Sequence, residues 1–167
     1  MSVKDSRYYK NFIFNYNELV GNLTSIKTND ELINNISKAN SLIDNTIHSF
    51  GDLYERISNI INNKQDVHLR KNIITESEQN IIYAFKYLNN QLKHDRELEV
   101  ITACVANNSY PRFYPYVRGA DPFYEWKDFK NNETNPHKYR VYYEKELIGK
   151  NVHNSIYELK NIIEKMI

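Results

Sequence analysis

Apolar residues recur every three or four positions in the first part of the chain, which is the spacing of one face of an amphipathic helix. Between Asp5 and Ile26 this face consists of Tyr8, Tyr9, Phe12, Ile13, Tyr16, Leu19, Val20 and Leu23. The sequence therefore predicts a first helix over residues 5–26.

A second apolar stripe follows the polar segment Thr28–Glu31. Polar side chains here can cap the free N–H groups of a new helix, and carboxylates in its first turn complement the helix dipole. The stripe extends over about eight helical turns and consists of Leu32, Ile36, Ala39, Ile43, Ile47, Phe50, Tyr54, Ile57 and Ile61. We expect one long second helix, in which Gly51 is the only interruption.

Polar residues 62–66 end this stripe, and a third helical pattern extends from about Val67 to Arg96. Its apolar face consists of Ile74, Ile81, Phe85, Leu88 and Leu92. The segment Thr75–Glu78 has the residues of a capping box, so it either begins a new helix or forms a polar patch within a longer one. The sequence leaves both alternatives open.

The pattern changes after the third helix. Residues 99–105 are rich in β-branched side chains, and residues 110–126 are rich in aromatic rings and proline with a turn at 119–122. These compositions predict short strands joined by irregular loop. We therefore expect a β and loop insertion over residues 97–136.

Helical spacing returns at 137–148, stops at Gly149 and resumes at 151–166, as expected when glycine ends a helix. The predicted fold is mainly α: an up-and-down helical bundle with a small aromatic-rich β insertion near the C-terminal third. A length of 167 residues fits one domain, residues 1–167, around a single core.

Composition narrows the classes of function. The net charge is +1, so no bulk electrostatic attraction draws the chain to nucleic acid or anionic lipid. The single cysteine, Cys104, fits a reducing compartment. Residues 1–10 lack the apolar core of a secretory signal, and no segment has the ~18 consecutive apolar residues of a membrane span. We expect a cytoplasmic protein without membrane contact.

Several enzyme classes lack their sequence signatures. The chain contains no glycine-rich phosphate loop, no zinc-ligand spacing and no nucleophile elbow. Asp44, His48 and Asp52 recur every four residues on the second helix, but they lie off the apolar stripe and no distant ligands complete a metal site. We interpret them as a solvated face, and expect no metal and no cofactor.

The third helix has two different faces. At about 100° per residue, Tyr83, Tyr87, Asn90 and His94 fall nearly opposite the apolar face. The side chains of this stripe can donate and accept hydrogen bonds, and the histidine can transfer protons near neutral pH. The adjacent Lys93 and Arg96 can hold an anion. The alternative interpretation is that the tyrosines pack beneath a neighbouring helix and His94 only complements the dipole at the helix end.

The segment Asn89-Asn90-Gln91-Leu92-Lys93-His94 resembles the motif of the HEPN domains. These are small helical bundles that often dimerise and include metal-independent ribonucleases of bacterial defence and toxin systems. Asn90 matches the polar position of the motif and His94 its histidine, whereas Asn89 stands where the family has arginine. The resemblance implies RNA cleavage through the 2′-hydroxyl, with His94 as general acid or base and Asn90 orienting the phosphate.

A second candidate surface is the aromatic segment Tyr110–Arg118, continued by Phe123–Trp126. Rings interleaved with Arg112 and Arg118 are typical of surfaces that stack unpaired bases or bind another protein. The alternative is that these rings close the open end of the bundle, because aromatic side chains bury large areas.

Two hypotheses follow. The first is a HEPN-like protein that cleaves or binds RNA in a bacterial or phage defence or toxin–antitoxin setting, and forms a homodimer through the polar stripe. Its proposed catalytic residues are His94 and Asn90, and its substrate-binding residues are Lys93, Arg96, Tyr87, Arg112 and Arg118. The second is a non-enzymatic interaction protein, such as an antitoxin, immunity protein or inhibitor, that binds another protein. The absence of arginine at position 89 favours the second.

Overall fold

A computed structural model describes residues 3–62, 74–95, 97–105, 121–129 and 138–167. These residues form a 3-10 turn at Val3–Asp5, six α-helices and one two-stranded sheet. The helices are α1 Arg7–Ser25, α2 Asn29–Asn34, α3 Ile36–Asn62, α4 Glu76–His94, α5 Arg140–Glu146 and α6 Val152–Met166, and the strands are β1 Ile101–Cys104 and β2 Phe123–Trp126. The expected helical bundle with a small β insertion is confirmed. Among the described helices, none combines the length and apolar character that crossing a bilayer requires.

The predicted second helix is two helices, α2 and α3, which are separated at Asn35. The Tyr124 hydroxyl donates to the carbonyl oxygen of Leu32 at 2.5 Å, within the last turns of α2. The Asn35 side chain donates to Asn22 Oδ1 on α1 at 2.8 Å. The prediction of one continuous helix was wrong because side chains from β2 and α1 bind the polar groups at this junction. These are tertiary contacts, and the spacing of apolar residues within one segment cannot reveal them.

Helix α4 begins at a capping box. Thr75 Oγ1 accepts from the Glu78 N–H at 3.2 Å, and the Glu78 carboxylate accepts from the Thr75 N–H at 2.8 Å. Of the two alternatives for this segment, a helix start is therefore the correct one. Residues 67–73 of the predicted third helix lie outside the described residues.

The two strands are antiparallel, with Ile101 opposite Trp126 and Cys104 opposite Phe123. The sheet is tied to the last helices, because the Gly149 N–H donates to the Trp126 carbonyl at 2.8 Å. Gly149 has a φ of 73°, a left-handed conformation that favours glycine and ends the helical region before α6. Strand β2 is thereby held against the connection between α5 and α6.

The core lies between α1, α3, α4 and α6 and extends to the sheet. It contains most of the predicted stripes, and its largest fully buried side chains include Trp126, Tyr87, Tyr143, Phe12, Phe50 and Phe85. Helix α4 is buried on most of its circumference because α3 and α5 contact it from different sides. This burial decides which residues of α4 can form a site.

Candidate functional site

Helix α4 presents only part of its predicted polar stripe. Asn90 is half-buried, and Lys93 and His94 are exposed in the last turns of the helix. Asn90 and His94 are four residues apart, so they share one face. The predicted substrate-binding residues Arg96, Arg112 and Arg118 lie outside the described residues.

Tyr87 is a core residue, so the prediction that it binds substrate was wrong. Its side chain is fully buried, and its ring stacks on Phe129 with a centroid distance of 6.1 Å and an angle of 4°. Tyr143 lies 5.5 Å from the same ring, and Arg140 donates to the Tyr87 hydroxyl at 3.4 Å. Helix α5 and the segment before it cover this side of α4, which a single-helix projection cannot show.

Tyr83 is also covered by the protein's own chain. Its ring stacks on Tyr139 at 4.5 Å with an angle of 12°, and Tyr142 lies 5.0 Å away. The alternative interpretation of the tyrosines, packing beneath a neighbouring helix, is therefore the correct one. A second copy of the chain would find only the Asn90 and His94 end of the stripe open to contact.

A groove of about 200 Å³ lies between α3 and α4. We call it the α3–α4 groove; it is lined by Gly51, Tyr54, Glu55, Lys86, Asn89, Asn90, Lys93 and Tyr139. Two of the predicted site residues, Asn90 and Lys93, therefore meet in one concave surface with a second lysine. His94 follows Lys93 at the open end of α4.

The lining of the groove is cationic, with two lysines against the Glu55 carboxylate. Lys86 Nζ lies 4.8 Å from the ring centroid of Tyr54 and 5.4 Å from that of Tyr139. Attraction to two ring faces fixes this ammonium group at the groove. Lys93 makes no ion pair with any residue in the described ranges, so its charge is available to an anion.

Sequence reasoning missed a polar contact across the same helix pair. His48 Nδ1 lies 3.0 Å from Asn89 Oδ1, and His48 Nε2 lies 3.1 Å from Asp44 Oδ1. Asp44 and His48 keep 28% of their side-chain surfaces exposed, and Asn89 is 8% exposed. Asp44 and His48 are therefore partly buried, rather than fully solvated as predicted, and Asn89 on α4 contacts His48. Asp52 is exposed as predicted.

Gly51 explains how Asn89 reaches this position. A Cβ atom at residue 51 would lie 2.2 Å from Asn89 Nδ2 and 2.8 Å from its Cγ, so any larger residue would displace the amide. A glycine inside an apolar helical stripe is a sequence signal of such a close approach. Gly51 is three positions after His48, so the two residues are neighbours on one face of α3.

The described part of the aromatic insertion closes the core. Trp126 and Tyr124 are 1% and 2% exposed, and the Trp126 ring meets Phe85 edge to face at 5.8 Å. For these two residues the structural interpretation is correct. The segment 110–118, with its two arginines, lies outside the described residues.

No group of three or more residues that could hold a metal ion occurs within the described ranges. Comparisons of the chain with models of protein families, with curated proteins and with solved structures find no match.

Proposed function

We propose that this protein binds single-stranded RNA in the α3–α4 groove and cleaves it without a metal ion, in a HEPN-like manner, in a bacterial or phage defence or toxin–antitoxin setting. One observation carries the proposal: Asn90 and Lys93 line a cationic groove with Lys86. His94 follows Lys93 at the C-terminal end of α4. The motif resemblance gives catalytic roles to Asn90 and His94, and Lys93 is the adjacent residue that the sequence predicts to hold an anion.

The size of the groove favours a phosphate group and its sugar over a larger ligand. A volume of about 200 Å³ is below the roughly 300–1,000 Å³ of sites that enclose small-molecule ligands. The rings of Tyr54 and Tyr139 already hold Lys86, so they serve the ammonium group rather than a base. The groove therefore recognises the RNA backbone, which a protein binds mainly through cationic and amide donors.

The chemistry requires one proton carrier near the scissile phosphate. In this mechanism the ribose 2′-oxygen attacks phosphorus, the bond from phosphorus to the 5′-oxygen breaks, and the products are a 2′,3′-cyclic phosphate and a 5′-hydroxyl. His94 takes the proton from the 2′-hydroxyl or gives one to the leaving 5′-oxygen, and such assistance is worth roughly 10²–10⁴-fold. Asn90 orients the phosphate, and Lys93 neutralises its charge.

A charge-neutral substitution in the groove tests the binding step. We expect Lys93→Gln to weaken binding of a single-stranded RNA oligonucleotide and to lower the slope of log Kd against log salt by about 1. Lys145→Gln is the matched control, because Lys145 is 71% exposed on α5 and lies outside the groove. Equal affinities and equal salt slopes for the two variants would show that RNA binds outside the α3–α4 groove.

The second candidate function is a non-enzymatic interaction protein, and one observation favours it. Asn89 occupies the arginine position of the motif and is buried between His48 and Gly51. A guanidinium would not fit there without moving α3. Under this function the groove binds acidic side chains of a partner protein, and the purified chain leaves RNA uncleaved while it captures that partner.

The homodimer stays a prediction under both functions. The open part of the α4 face, at Asn90 and His94, is the surface that a second copy would share in a HEPN-like arrangement. Light scattering at tens of micromolar gives the mass directly, and a monomer there would contradict the prediction.

A further inference from the structure

We propose that Asn89, held by His48 and Asp44, is a phosphate-binding residue of the α3–α4 groove. The inference rests on the proposed function for the identity of its substrate, the RNA backbone. It assigns a binding role to Asn89 and a positioning role to His48 and Asp44.

Both ring nitrogens of His48 lie close to an oxygen atom. Nδ1 lies 3.0 Å from the amide oxygen of Asn89, and Nε2 lies 3.1 Å from a carboxylate oxygen of Asp44. An amide oxygen only accepts hydrogen bonds, so the Nδ1–H group of His48 is the donor to Asn89 Oδ1. The Asp44 carboxylate contacts the opposite side of the same ring.

The contact with His48 fixes the orientation of the Asn89 amide. Because Oδ1 accepts from His48, the Nδ2 group points the other way, towards Gly51. Gly51 and Asn89 both line the groove. Within the described ranges Asn89 Nδ2 has no hydrogen-bond partner, so its two N–H groups are available to a ligand.

Asp44 Oδ1 lies against the second ring nitrogen of His48. This atom is shielded from solvent, and its contact with His48 Nε2 lacks the geometry of a hydrogen bond. The contact limits the position of the His48 ring. Through the ring, Asp44 supports the orientation of the Asn89 amide.

Together these groups complete an anion site. Asn89 Nδ2 and the Asn90 side chain offer amide donors, and Lys86 and Lys93 supply charge. The His48 ring lies behind Asn89 and holds its amide oxygen away from the ligand. The ligand chemistry is a phosphate oxyanion, from an RNA backbone or from free phosphate.

Two substitutions separate the donor from its support. Asn89→Asp keeps an oxygen for His48 Nδ1 but removes the Nδ2 donor. Asn17→Asp on α1 is the control for added charge, since Asn17 is exposed outside the groove.

His48→Leu removes the side chain that orients Asn89, whereas His48→Asn keeps an N–H group at the place of Nδ1. His153→Leu is the matched histidine control on α6.

The experiment titrates each folded variant with inorganic phosphate and with a single-stranded RNA oligonucleotide while the Asn89 side-chain amide and the His48 ring nitrogens are followed by NMR. We expect both ligands to shift the Asn89 amide signals, and His48 Nδ1 to carry a proton in the wild type. Asn89→Asp and His48→Leu should lose about 10-fold or more in affinity, the loss typical of a hydrogen bond to a charged group. His48→Asn should recover most of it, and the two controls should match the wild type.

The outcomes distinguish the two proposals. If RNA binds with unchanged affinity in Asn89→Asp and His48→Leu, and the Asn89 amide does not shift, this inference is wrong and the proposed function stands. If phosphate shifts the amide but RNA does not bind, the proposed function is wrong and the anion site stands. If neither ligand binds, or His48 Nδ1 is unprotonated, the assignment of Asn89 as a donor is overturned.

Discussion

Gly51 on α3 and Asn89 on α4 approach so closely that a Cβ atom at residue 51 would lie 2.2 Å from Asn89 Nδ2. This contact allows Asn89 to reach His48 while it lines the α3–α4 groove. A glycine inside a helix costs roughly 0.5–1 kcal/mol relative to alanine. The close approach explains why glycine occupies position 51, in the middle of α3, despite this cost.

Gly51→Ala should therefore reduce stability and RNA binding together. The added methyl group collides with the Asn89 amide, and this collision outweighs the better helix propensity of alanine. Gly21→Ala is the control, because a Cβ atom at Gly21 on α1 would meet nothing within 4 Å. We expect that control to raise the free energy of unfolding by about 0.5–1 kcal/mol. Denaturant melts of both variants check the prediction, and a stabilised Gly51→Ala would contradict the close contact.

Trp126→Ala should lower the free energy of unfolding. The ring is 1% exposed and contacts Phe85, so its removal leaves a cavity that costs about 3–5 kcal/mol. Phe14→Ala, at a residue 65% exposed on α1, should change stability by less than about 0.5 kcal/mol. A melting temperature of Trp126→Ala close to that of the wild type would show that this ring belongs to a partner surface instead.

The capping box of α4 predicts a further loss of stability. Thr75→Ala removes the acceptor of the Glu78 N–H and should cost about 0.5–2 kcal/mol, whereas Thr75→Ser retains the oxygen and should cost less. Equal free energies of unfolding for the two variants would contradict the box.

Glu78 gives this cap a pH dependence. The hydrogen bond from Lys165, followed by that from the Thr75 N–H, lowers the pKa of the Glu78 carboxyl. A folded pKa below the unfolded value of about 4.3 means that the stabilisation is complete above that pH and is lost as the pH falls through the folded pKa. The stability difference between wild type and Glu78→Gln should therefore shrink on acidification below about pH 4.3. A difference that stays constant down to pH 2 would exclude this linkage.

Cys104 should react slowly with thiol reagents at neutral pH. Burial, with the Glu125 carboxylate beside it, raises the pKa of the Cys104 thiol to about 11. Since the thiolate is the reactive form, alkylation should accelerate steeply only as the pH approaches that value. Glu125→Gln should lower the pKa and speed alkylation, whereas Glu99→Gln, at a carboxylate paired with Lys127, should not. Rapid labelling of the wild type at pH 7.5 would contradict the raised pKa.

Apolar spacing was sufficient to predict most of the helices, because burial of one face is what stabilises them. The stripe from Leu32 to Ile57 is buried apart from the half-buried Ile36, and Gly149 ends the helical region as expected. The break at Asn35 depends instead on Tyr124, which is 89 residues away in sequence. Spacing within one segment contains no information about such a partner.

The site was predictable only in part for the same reason. Asn90 and Lys93 were found because they lie on one face of one helix. Tyr87 and His48 were assigned to the wrong environments, since their exposure is decided by α5 and α4 respectively. A helical projection places side chains around one axis and cannot say which neighbouring helix covers them.

The most direct test of the account is the cleavage of a cellular RNA pool by the purified protein in excess EDTA, with analysis of the product ends. We expect cleavage that persists in EDTA, products with 2′,3′-cyclic phosphate ends, and a rate at least about 100-fold lower in folded His94→Ala. His153→Ala, at a histidine on α6 outside the groove, should cleave at the wild-type rate. RNA left intact by the wild type, or cleaved equally by His94→Ala, would contradict the account.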